Sequence, residues 1–118
     1  MSVLLVAHFL GDFTPLATRQ MQEAKTGARS PGPIAAHAAV HALLVVGAVA
    51  AVRPAWAPLL AAAGLEFLSH AVIDFAKMRV AVGRPALLDP EGAPFWYLFG
   101  VDQLGHGLVL VGIAALVL

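Results

Sequence analysis

The sequence has no cysteine among its 118 residues, and acidic and basic residues together make up only 12% of it. The missing thiols exclude disulfides, thiolate metal ligands and cysteine-held iron–sulfur clusters, and they leave the redox compartment unread. The scarcity of charge excludes an ordinary soluble domain, in which about 25% of residues are charged. Seven basic residues balance seven acidic ones, so no net field draws the chain toward nucleic acid. Ser2 to Leu10 also lacks a basic leading stretch and a small-residue cleavage pattern, and this run is expected to stay in the mature chain.

What is abundant is hydrocarbon: 60% of the residues are apolar and the mean hydropathy is +0.85. Ile34 to Val52 and Leu104 to Leu118 contain no formally charged residue. About 20 predominantly apolar residues cross roughly 30 Å of bilayer core. The pattern predicts an all-α, integral membrane four-helix bundle, a single transmembrane domain over 1–118 with helices at about 2–16, 33–52, 55–79 and 94–118. Ser30, Pro31, Gly32 and Pro33 punctuate the first connection, Arg53 and Pro54 form a tight second one, and Gly83, Pro85, Pro90 and Gly92 break the third. The first helix is the shortest, about 15 residues reaching about 23 Å, with Pro15 perturbing its end. Arg19, Lys25 and Arg29 in the first connection, and Lys77, Arg79 and Arg84 around the third, oppose Arg53 alone in the second. By the positive-inside rule the first and third connections are cytoplasmic and both termini lie outside.

The polar chemistry is concentrated in four pairs, each with a spacing of four residues and each in a different apolar segment: His8 and Asp12, His37 and His41, His70 and Asp74, Asp102 and His106. No histidine is left over. Side chains four apart on a helix lie about 40° from each other and can converge on one point. With alternating helix directions, all four pairs arrive at similar depth in the cytoplasmic half of the bundle. Eight ionisable groups in hydrocarbon need compensation, and two divalent cations would supply it. Imidazole and carboxylate bind zinc at about 2.0–2.2 Å, and helical bundles build dinuclear sites from facing helices. A nitrogen and oxygen ligand set without sulfur suits zinc, iron or manganese, with zinc favoured.

Glu66 lies one turn before His70 and is a candidate general base or further ligand. Lys77 continues the same stripe toward the cytoplasm, as a contact for substrate charge, a neutralising partner of Asp74, or a lysine snorkelling from a helix end. Gln103 is expected to point about 100° away from Asp102, toward a neighbouring helix. Gly11, Gly47, Gly64, Gly100, Gly105, Gly107 and Gly112 are expected to permit close helix packing, and Phe95, Trp96 and Tyr97 to sit in the membrane interface.

Several functions use such a layer. The leading one is a metal-dependent hydrolase of a lipid, or of a lipid-linked phosphate or ester, at the cytoplasmic leaflet, with Glu66 and Lys77 as its catalytic groups. The alternative is a small proton or metal-ion transporter, or an accessory subunit, working as a homo-oligomer or in a larger membrane complex. Hydrogen-bonded pairs that only join helices and haem held by two histidines complete the set. Acidic partners on three of the four helices weigh against haem.

The segments His8–Phe13, His70–Lys77 and Asp102–His106, together with the two-histidine helix, resemble an uncharacterised bacterial family of small polytopic membrane proteins, a domain of unknown function. The resemblance covers nearly the whole chain and implies the inner, cytoplasmic membrane of a bacterium, without an activity to transfer. In that family pattern a glutamine follows the first aspartate closely, whereas Gln20 and Gln22 come later here. A looser similarity is to bacterial membrane-bound metal-dependent hydrolases, which supports a reaction class by analogy.

Overall fold

A computed structural model describes residues 1–25, 32–51 and 55–117. Its regular elements are helices throughout: α1 (Ser2–Phe13), α2 (Arg19–Lys25), α3 (Gly32–Ala50), α4 (Trp56–Ala81) and α5 (Ala93–Val117), with a 3-10 turn at Pro85–Leu87. The all-α class stands, but the element count differs from the expected four. Arg29, the Ser30–Pro31 breaker, the Arg53–Pro54 turn and Leu118 lie outside the described residues.

Helices α3, α4 and α5 are long and apolar enough to cross a membrane. Helix α1 is not: its 12 residues span about 18 Å. The expected helix to residue 16 stops at Phe13 because Thr14 is extended, with φ −124° and ψ 175°, as the residue before a proline tends to be. Pro15 also has no N–H to continue the ladder, and the Thr14 hydroxyl donates to the Leu10 carbonyl instead. The chain then reverses. The Thr18 hydroxyl accepts from the Met21 N–H at 3.4 Å, a cap that starts α2 inside the stretch expected to be a connection. Helix α2 packs on α3 and α4.

Helix α4 runs to Ala81, two residues beyond expectation, and ends where Gly83 adopts a φ of +74°, the left-handed conformation that terminates helices and suits glycine. Buried apolar residues gather at one end of the bundle, among them Leu4, Val45, Val49, Leu59, Leu110 and Ile113. The opposite half of the same four helices carries the buried histidines and aspartates. The outward faces of the spanning helices are apolar, with Leu43, Leu60, Leu68, Val72, Leu104 and Leu108 exposed, as a surface in contact with lipid requires.

The glycines divide. A Cβ on Gly11 would run into the His41 ring, so this position does hold α1 and α3 close. Gly47, Gly64, Gly100, Gly107 and Gly112 have no neighbour within 4 Å of the place a Cβ would take, and Gly105 meets Ile73 only at an ordinary 3.5 Å. Of these seven, Gly11 alone requires the absence of a side chain: five lie at open positions, and Gly105 would accommodate a Cβ in ordinary contact with Ile73.

Candidate metal centre

The local periodicity of each helix delivers its pair to the interior, and the bundle brings all four pairs together. Helix α1 supplies His8, α3 supplies His37 and His41, α4 supplies His70 and α5 supplies His106; all five rings are buried. His70 is the hub, with ring centroids of His41, His106, His37 and His8 at 3.8, 4.1, 5.1 and 5.7 Å from its own. Asp12, Asp74 and Asp102 face the same cluster, their side chains 6%, 0% and 2% exposed.

Among the described residues, His37 Nε2 and Asp12 Oδ1 hydrogen-bond at 3.0 Å, and His70 Nδ1 and Glu66 Oε1 at 3.3 Å. The others are longer. His8 Nε2 lies 3.4 Å from Asp12 Oδ2, His41 Nε2 3.5 Å from Asp12 Oδ1, and His70 Nε2 3.6 Å from Asp74 Oδ2. His106 Nε2 stands 3.7 Å from both Asp74 Oδ1 and Asp102 Oδ1. At 3.4–3.7 Å these contacts lie at or beyond the long end of hydrogen bonding, close to the edge of about 3.4 Å between tetrahedral ligands placed 2.0–2.2 Å from one ion. Among the described residues, His8 Nε2, His41 Nε2, His70 Nε2, His106 Nε2, Asp74 Oδ1 and Asp102 Oδ1 are buried without a hydrogen-bond partner. Each such atom costs about 1–3 kcal/mol unless something else meets it.

Three overlapping sets of ligand atoms lie within 4.8 Å of one another: His8, His41, Glu66 and His70; Asp12, His37, His41 and His70; His70, Asp74 and His106. These groups could hold a metal ion. Glu66, 2% exposed, stands 3.3 Å from His70 Nδ1 and 3.9 Å from His41 Nδ1, which makes it a member of the first set. Asp102 is outside all three sets.

A model of the family described as "Protein of unknown function (DUF3307)" matches residues 1–118. The chain belongs to the DUF3307 family. No curated protein and no solved structure matches this DUF3307 chain.

Three polar residues join the layer that local spacing assigns elsewhere. Lys25, expected to mark a cytoplasmic loop, is 9% exposed, and its Nζ lies 3.0 Å from Asp12 Oδ1 and 3.2 Å from Asp74 Oδ2. Burial alone would lower its pKa; the Asp74 and Asp12 carboxylates outweigh this and hold it above the ordinary lysine value, so it is an ammonium. Gln103, expected to turn away, donates from Nε2 to Asp12 Oδ2 and to Asp102 Oδ2, both at 3.3 Å. Gln22 Nε2 donates to the Asp12 carbonyl at 3.4 Å, so a glutamine late in the sequence still reaches the first aspartate. The available signal for Lys25 and Gln22 is their i, i+3 spacing on a helix just after a proline turn. Lys77 pairs with Asp102 Oδ2 at 2.7 Å, not with Asp74, and lies 5.5 Å from the Phe99 ring centroid.

With neutral imidazoles, the four carboxylates Asp12, Glu66, Asp74 and Asp102 against the two ammoniums Lys25 and Lys77 leave two negative charges in the DUF3307 layer. A cleft of about 190 Å³ reaches Gln22, Lys25, Lys77, Phe95 and Phe99. A smaller space of about 70 Å³ shares Gln22, Lys25, Lys77 and Phe99 with it and borders Asp12, Asp102 and Gln103. Between α4 and α5 runs a groove of about 330 Å³ lined by apolar residues apart from Lys77 and Asp102.

Proposed function

We propose that this DUF3307 protein is a membrane-embedded metalloprotein that holds a divalent transition ion on His8, His41, Glu66 and His70, and that it hydrolyses an amphiphilic phosphate or ester. The observation that carries the metal is the convergence of four buried ligand atoms, from His8, His41, Glu66 and His70, within 4.8 Å of one another, with Glu66 Oε1 3.3 Å from His70 Nδ1 and 3.9 Å from His41 Nδ1. The His8, His41, Glu66, His70 group offers three imidazoles and a carboxylate, a ligand set suited to zinc, with iron or manganese also fitting. One divalent ion cancels the two residual negative charges. The two ions anticipated for eight ligands are thereby reduced to one at rest, since Lys25 and Lys77 already hold Asp12, Asp74 and Asp102.

Such an ion would supply Lewis-acid activation of water and of the substrate oxygen, with one of the four ligands giving way to open a position for them. Glu66 then serves as ligand and not as the general base, while Lys77, beside the groove and the cleft, offers the cationic contact to a phosphate. The groove supports a hydrocarbon-bearing substrate drawn from the bilayer. Arg19, Arg79 and Arg84 keep the polar end basic even with Lys25 turned inward, which supports a cytoplasmic position for that end, with both termini outside, in a bacterial inner membrane. Imidazole ring centroids 3.8 and 4.1 Å apart leave no slot for a haem between two of them.

Untagged protein purified in mild detergent is expected to contain about one zinc, iron or manganese ion per chain by mass spectrometry. No metal, even after reconstitution, overturns the reading. Transport is the second possibility, and the bundle weighs against it: among the described residues no ionisable side chain continues the layer past His8 and Glu66 into the apolar end. Proton or zinc flux in proteoliposomes that vanishes in Asp74→Asn would reverse that preference.

A further inference from the structure

We propose that the Lys25 ammonium stands in a second cation position, so that this protein carries one metal ion where its ligand set could hold two. Asp12 Oδ1 and Asp74 Oδ2, from α1 and α4, approach Nζ at 3.0 and 3.2 Å. His37 Nε2 lies 3.0 Å from the first oxygen and 3.8 Å from the second. These three atoms, from three helices, are the nitrogen and oxygen donors a transition ion takes. The other oxygen of the same carboxylate, Asp74 Oδ1, faces His106 Nε2 at 3.7 Å, and both atoms are buried without a hydrogen-bond partner among the described residues.

Lys25 comes from none of the spanning helices. Helix α2, seven residues long, brings it back to Asp12 across 13 residues of chain. With Lys25 in place and a first ion on the Glu66 group, the layer is neutral, and a second divalent ion would leave two uncompensated positive charges in a buried site. Without Lys25 the same addition leaves only one, and the oxygens it held become free to ligate. Lys25 thus sets the metal count through charge and through occupancy of the carboxylates.

This inference rests on the proposed first ion, and the test separates the two. Wild type, Lys25→Met and Lys25→Gln are equilibrated with micromolar zinc in detergent, passed through size exclusion, and their zinc per chain is counted. The expected result is a twofold rise, from about one ion in wild type to about two in both variants, with Lys25→Arg staying at about one. An unchanged count in both variants, or two ions in wild type, overturns the role of Lys25 and leaves the metalloprotein reading standing. No zinc in wild type overturns that reading and this one with it. If both variants aggregate, zinc X-ray absorption of wild type decides: a single zinc with nitrogen and oxygen neighbours supports the role, and a metal–metal vector near 3.5–4 Å overturns it.

Discussion

The ring of His41 lies where a side chain on Gly11 would begin. Helix α1 therefore approaches α3 only because residue 11 ends at its Cα, and this contact sets His8 beside His41, with ring centroids 4.9 Å apart. Gly11→Ala is expected to push the His41 ring off its position, remove most bound metal and lower stability by about 1–3 kcal/mol, the usual cost of overpacking. Gly107→Ala, with open space at its Cβ, serves as the control and is expected to leave both unchanged. Metal content and thermal unfolding in detergent read the two variants side by side.

His70 belongs to every ligand grouping in the layer and His37 to one. His70→Ala should abolish metal binding, whereas His37→Ala should leave the ion on His8, His41, Glu66 and His70 bound. A zinc titration monitored with a chromogenic chelator distinguishes them, and equal affinities for the two variants would disprove the hub role.

Lys77 and Asp102 meet at 2.7 Å with the lysine side chain 20% exposed. Breaking the pair from one side leaves a buried charge without its partner, which costs more than removing both. Lys77→Met and Asp102→Asn should each destabilise the protein, and the double variant should lose less than the two single losses combined. The expected coupling is roughly 1–3 kcal/mol, the scale of a hydrogen bond to a charged group, measured by a double-mutant cycle of unfolding.

The chain contains no cysteine, so a single introduced thiol reports topology without background. Asp89→Cys, in the connection before α5, should resist an impermeant maleimide applied to intact cells and react after lysis. Ala55→Cys, at the opposite end of α4, should react in both. The reverse pattern would place the polar layer in the outer half of the membrane.

The sequence by itself determined what depends on local geometry. Apolar runs marked the spanning helices, and a spacing of four residues put His37 with His41, and His70 with Asp74, on one helix face, because 3.6 residues per turn leave no other choice. Alternating helix direction was enough to bring the pairs to one depth. Only the tertiary structure decided which partner each charge meets. Lys25 enters the layer because Thr14 and Pro15 end α1 early and reverse the chain; Lys77 pairs with Asp102 on α5, while the Asp74 carboxylate meets Lys25. Such contacts span 13 and 25 residues and are set by how helices dock, a property that no local period encodes.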